Sequence, residues 1–147
     1  MASVLQKRMP RSLRWATYFV FGILWASGCA WLAVHFLWAQ PSPFGLIPHP
    51  WEPALLRIHG WSAAAAVFLL GWVSSQHVAE RWEQWRRRPS GLILGTAAIV
   101  LVLSGYALYY TTDQLHDASA VAHEVLGTAA LALALVHWRR NGTRRGA

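Results

Sequence analysis

Apolar residues gather in four long runs, about Trp15 to Ala39, Pro53 to Val78, Ser90 to Thr111 and Ala118 to Trp138, separated by short segments rich in proline or charge. Each run exceeds or nears the ~20 residues that a helix needs to cross about 30 Å of hydrocarbon. None shows the strict alternation of a half-buried strand. The pattern predicts an all-α fold: an integral membrane four-helix bundle that takes up residues 1–147 as a single membrane domain. Between the first two runs, Gln40 to Trp51 holds Pro41, Pro43, Pro48 and Pro50, which predicts an ordered, non-helical surface loop. The connection from Thr112 to Asp117 is short and acidic.

Composition agrees, with 55% hydrophobic residues and ten tryptophans in 147 residues, which leaves little room for a soluble domain. The net charge of +7 would suit nucleic acid, but the positions of the charges argue against it. Lys7, Arg8, Arg11 and Arg14 precede the first run, Arg81, Arg86, Arg87 and Arg88 lie between the second and third, and Arg139, Arg140, Arg144 and Arg145 follow the fourth. Arg57 is the one basic residue at the other end. The positive-inside rule then predicts both termini in the cytoplasm. Trp15, Trp82, Trp85 and Trp138 fall at the inner edge, Trp38 and Trp51 at the outer, as interfacial tryptophans do. Trp25 and Trp72 fall in mid-membrane.

Four histidines lie inside these runs: His59 and His77 in the second, His123 and His137 in the fourth. An ionisable side chain in hydrocarbon is costly and marks function, and neutral imidazole is the commonest protein metal ligand. Runs two and four are parallel, so His59 pairs in depth with His123 and His77 with His137. The 18 residues from His59 to His77 make five whole turns, about 27 Å, and the 14 from His123 to His137 cover about 21 Å with a ~40° rotation. Both helices therefore turn two imidazoles to one interior face, an arrangement suited to two haems, each with one axial nitrogen from either helix. The spacings differ by about 6 Å, which tilt, an offset or another ligand must absorb; His116, one heptad before His123, is the alternative outer ligand.

Other positions support this reading. Gly60, Gly71, Gly105 and Gly127 would let a broad macrocycle approach the helices, with Gly127 the cofactor-contact candidate in the fourth; Gly91 and Gly95 read as a helix-contact pair. Arg57 suits the outer haem propionates, and Arg81, Arg139 and Arg140 the inner ones. His35 lies near the outer depth and suits a quinone or substrate site, while Tyr106, Tyr109 and Tyr110 read as interfacial anchors. Cys29 is the single cysteine, so a thioether-linked haem or a thiolate cluster is not expected. Ala26-Ser27-Gly28-Cys29 is weighed as a lipoprotein processing site, but leucine is missing three places before the cysteine, and Cys29 is read as packed within the first helix.

With His59-Gly60-Trp61, His77, His123-Glu124-x-x-Gly127 and His137-Trp138, together with Leu103-Ser104-Gly105-Tyr106-Ala107-Leu108-Tyr109, the chain resembles the small four-helix, di-haem b-type cytochromes of bacterial respiratory membranes, the transmembrane cytochrome b superfamily. The resemblance implies His59, His77, His123 and His137 as ligands of two haem b groups. It also implies residence in the bacterial inner membrane and electron relay between the quinone pool and a periplasmic partner, a c-type cytochrome or a metallo-oxidoreductase. The expected role is an electron-transfer subunit of a respiratory complex rather than a stand-alone enzyme. The acidic outer residues Glu52, Asp113, Asp117 and Glu124 would suit a basic partner. Three alternatives are carried: a haem-dependent oxidoreductase acting on a quinone or small oxidant at the outer haem through His35, Arg57 and the tyrosines, a histidine-lined metal or proton transporter, and, last, a haem-free bundle whose histidines hydrogen-bond across helices. Transport would call for buried carboxylates or broken-helix repeats in the spans, and neither pattern is evident.

Overall fold

The computed structural model describes residues 10–43, 45–77 and 89–142, without the side chains of residues 46, 76, 77 and 140–142. Four helices carry almost all of it: α1 (Arg11–Leu37), α2 (Glu52–His77), α3 (Pro89–Tyr110) and α4 (Asp113–Gly142). All four are long and apolar enough to cross a membrane, and the protein is a multi-pass, all-α membrane protein. The basic residues Lys7, Arg8, Arg81, Arg86 to Arg88, Arg144 and Arg145, and the tryptophans Trp82 and Trp85, lie outside the described residues.

Helix limits follow local chemistry. Proline stands at the first position of α3 (Pro89) and the second of α2 (Pro53), in the first turn, where the missing N–H leaves nothing unpaired. Glu52 supplies an acidic first turn to α2, favourable at the positive end of the helix dipole. The turn between α3 and α4 is only Thr111 and Thr112. Asp113 closes it with φ 54, a left-handed conformation that a short polar side chain tolerates, and the Thr112 hydroxyl donates to Asp113 Oδ2 at 2.9 Å. Helix α4 consequently starts five residues before the apolar run, because hydropathy marks the hydrocarbon core and not the polar first turn.

Within the proline-rich segment the chain forms a small hairpin, β1 (Gln40–Ser42) against β2 (Gly45–Ile47), antiparallel with Gln40 opposite Ile47 and Ser42 opposite Gly45. Gly45 has φ +112, a backbone region open mainly to glycine. The segment is non-helical as its prolines predict, but strand pairing had no alternating signal in three-residue strands.

The bundle is two antiparallel hairpins. Helix α1 packs along α2 and α3 along α4, and the hairpins join through a smaller α1–α4 contact. Helices α2 and α4 share no packed seam of that kind among the described residues. Small residues make up most of the interior: Ser27, Ala66, Gly91, Ala97, Ser104 and Ser119 are buried beside Val34 and Leu69, as expected where backbones approach closely in lipid. Large apolar side chains point outward instead, among them Phe19 (68% exposed), Phe68 (66%) and Val121 (62%). Such a surface on every helix is a lipid-contacting one.

Candidate functional site: two facing histidines

Helices from both hairpins converge at one level. His59 of α2 and His123 of α4 face each other there, their ring centroids 6.2 Å apart and their planes at 84°. Each ring is held by the partner helix of its own hairpin. His59 Nδ1 lies 3.0 Å from the Leu24 carbonyl and 3.3 Å from Ser27 Oγ, both on α1. His123 Nδ1 lies 2.9 Å from Ser104 Oγ on α3. A glycine follows each serine and leaves space for the ring: a Cβ added to Gly28 would stand 2.9 Å from His59 Cε1, and one on Gly105 3.2 Å from His123 Cε1.

His59 bonds to the Leu24 carbonyl and Ser27, and His123 to Ser104, through Nδ1; the Leu101 backbone also bonds the His123 ring. Two imidazoles bound through Nε2 to opposite sides of one metal ion have centroids about 6.2 Å apart, given a metal–nitrogen bond of about 2.0 Å and about 1.1 Å from that nitrogen to the ring centre. The observed 6.2 Å is that separation. Gly60, beside His59, is exposed, with nothing within 4 Å of an added Cβ. The donor set and the spacing fit an iron held by two imidazoles. No cluster of three or more histidine, cysteine or carboxylate side chains occurs among the described residues.

The second pair is placed less fully. His137 is partly buried on α4, about 21 Å along the helix from His123. His77 ends α2, and its side chain lies outside the described residues. Arg57 is exposed, two residues before His59. An added Cβ on Gly127 would meet Leu101 of α3 at 3.8 Å, so this glycine lies at the α3–α4 contact, whereas Gly71 faces open space. His116 is half-exposed and sits 3.6 Å from Asp117. Trp25, partly exposed, donates from Nε1 to the Thr128 carbonyl at 3.3 Å, tying α1 to α4 just beneath the histidine pair.

One heptad from the pair, about 10 Å along the same α1–α2 seam, His35 Nδ1 meets Glu52 Oε2 at 3.1 Å. The other Glu52 oxygen accepts the His49 N–H at 3.0 Å, and His35 stacks on Trp31 at 4.7 Å. Glu52 is 7% exposed. It is therefore an internal tie between α1, the loop and α2, and not one of a set of free surface carboxylates. The serine–glycine seats of the histidines escape histidine counting because they lie on other helices; the repeated Leu-x-x-Ser-Gly at Leu24 and Leu101 is the signal that marks them.

No family model, curated protein or solved structure matches this chain.

Proposed function

We propose that the protein is a di-haem b-type cytochrome of a bacterial inner membrane, relaying electrons between the quinone pool and a periplasmic redox partner as a subunit of a respiratory complex. The observation that carries the reading is the His59–His123 pair, at the separation of two imidazoles sharing one iron. In this reading His59 and His123 hold the outer haem, and His77 and His137 the inner one. Bound haem supplies a one-electron carrier, and the protein supplies position, ligand identity and dielectric.

The chain's own residues then have defined tasks. Ser27, Ser104 and the Leu24 carbonyl hold the outer imidazoles by Nδ1, which keeps Nε2 free to ligate. Arg57, exposed at the outer edge, pairs with the outer propionates. The apolar helix faces keep water from the pair and seat the bundle in lipid. The charge asymmetry of the sequence supports a cytoplasmic inner pair, and on that orientation a periplasmic c-type cytochrome or metallo-oxidoreductase docks at the loop that carries the β-hairpin.

One observation favours the second reading, an oxidoreductase that acts on a quinone at the outer haem. The His35–Glu52 pair offers a proton acceptor about 10 Å from His59 along the helices. Reoxidation of the reduced, purified protein by a soluble quinone without any partner distinguishes that activity from a pure relay.

The test is haem stoichiometry by pyridine haemochrome, with a reduced-minus-oxidised spectrum, on detergent-purified protein and on His77→Ala and His123→Ala. Two haem b per chain, with one lost in each variant, is the expected result. A colourless protein after full haem supplementation overturns the proposal.

A further inference from the structure

The two imidazoles are seated in the same way by two stretches of the same sequence. Leu24-x-x-Ser27-Gly28 on α1 and Leu101-x-x-Ser104-Gly105 on α3 each place a serine at the Nδ1 of a histidine on the next helix and a glycine against that histidine's Cε1. In both stretches the serine hydroxyl donates to the carbonyl three residues back, Ser27 to Leu24 at 3.0 Å and Ser104 to Leu101 at 3.2 Å. A hydroxyl has one proton and two lone pairs. A hydroxyl that keeps its proton on that carbonyl offers the histidine a lone pair, and in that arrangement Nδ1 is the donor. The Leu24 carbonyl, 3.0 Å from His59 Nδ1, can only accept and makes the same demand. Ser27 is 6% exposed and Ser104 7%, so bulk water does not take their place. A neutral imidazole protonated at Nδ1 has its lone pair on Nε2.

We infer that Ser27 and Ser104 are positioning residues that lock His59 and His123 as Nδ1–H tautomers, a single ligand seat built twice, once in each hairpin, so that both rings offer Nε2 to the metal between them. The inference rests on the reading of these histidines as haem ligands and adds which atom ligates and what fixes it. The two copies are unequal in detail. For His123 the hydroxyl is the closer bond, at 2.9 Å; for His59 the carbonyl at 3.0 Å lies nearer than the hydroxyl at 3.3 Å. Losing Ser104 therefore perturbs its histidine more than losing Ser27.

The experiment pairs a haem-free and a haem-loaded readout on the full chain. In the haem-free protein in micelles, the ¹⁵N shifts of labelled histidines, assigned with His59→Gln and His123→Gln, report the tautomers. Both are expected as Nδ1–H, with His123 moving toward Nε2–H in Ser104→Ala and His59 moving less in Ser27→Ala. In the loaded protein, weaker donation from the ligand raises the midpoint potential of one haem, and haem affinity falls by roughly 10–100-fold in Ser104→Ala. Ser119→Ala, which removes a buried hydroxyl bonded only to the Leu115 carbonyl at 2.7 Å, leaves tautomers and potentials alone. Nε2–H in the wild type, or a His123 tautomer unchanged in Ser104→Ala, overturns the inference. If the chain takes up no haem, the cytochrome reading falls, and the tautomers still decide the seat.

Discussion

Gly28 of α1 backs directly onto His59 of α2, and a methyl group there would stand 2.9 Å from the ring's Cε1. Real carbon contacts are not that short, and the ring is fixed by two bonds on its Nδ1 side, so alanine at this position must displace the imidazole or α1. Alanine is a better helix former than glycine by about 1 kcal/mol, so any loss reports on that displacement and not on helix formation. Gly28→Ala is expected to lower occupancy of the outer haem at least tenfold at limiting haem. Gly105→Ala, where the contact is 3.2 Å, should lower it less. Haem titration of the two variants side by side checks the order.

Glu52 joins three parts of the chain through His35 and the His49 amide. Its removal leaves that amide without its acceptor and cuts the tie to His35 of α1, while the Glu52 N–H keeps its bond to the His49 carbonyl. Glu52→Ala should lower the unfolding midpoint in detergent by several degrees. Asp117→Ala, with its side chain 85% exposed and its histidine at 3.6 Å, should leave the midpoint within about a degree. Circular dichroism melts of both variants supply the comparison.

Trp25 makes a hydrogen bond between the hairpins, to the Thr128 carbonyl. Trp25→Phe keeps an aromatic ring and removes the donor, at a cost of about 0.6 kcal/mol if the bond resembles others between helices in membranes. Trp72→Phe is the control, since Trp72 is 47% exposed and meets Phe68 edge-on. Equilibrium unfolding in mixed micelles should separate the two.

The helices were readable because hydrocarbon demands long apolar runs, and the described helices overlap all four predicted spans. Their ends were less so. The first turn of α4, from Asp113, is polar, and its start depends on one left-handed residue that hydropathy does not register. The meeting of His59 with His123 follows from helix direction and depth, both of which sequence supplies. What holds them does not: the supports are a serine and a glycine from the neighbouring helix, and in α1 they fall in Ala26-Ser27-Gly28-Cys29, a stretch weighed for its cysteine and not for its serine and glycine. Glu52 shows the opposite failure. A carboxylate at a helix start looks like surface charge until the fold brings His35 to it.

The division into two hairpins bears on how the protein is made. Each hairpin carries one histidine with its own serine and glycine, and the helices bearing the two histidines are not packed along each other. A hairpin can therefore insert and mature with its half of the centre already shaped, and the facing pair comes into being only when the halves dock through α1 and α4. On the proposed reading, cofactor capture would be a late event of assembly, with the metal as a clasp between two prefabricated parts.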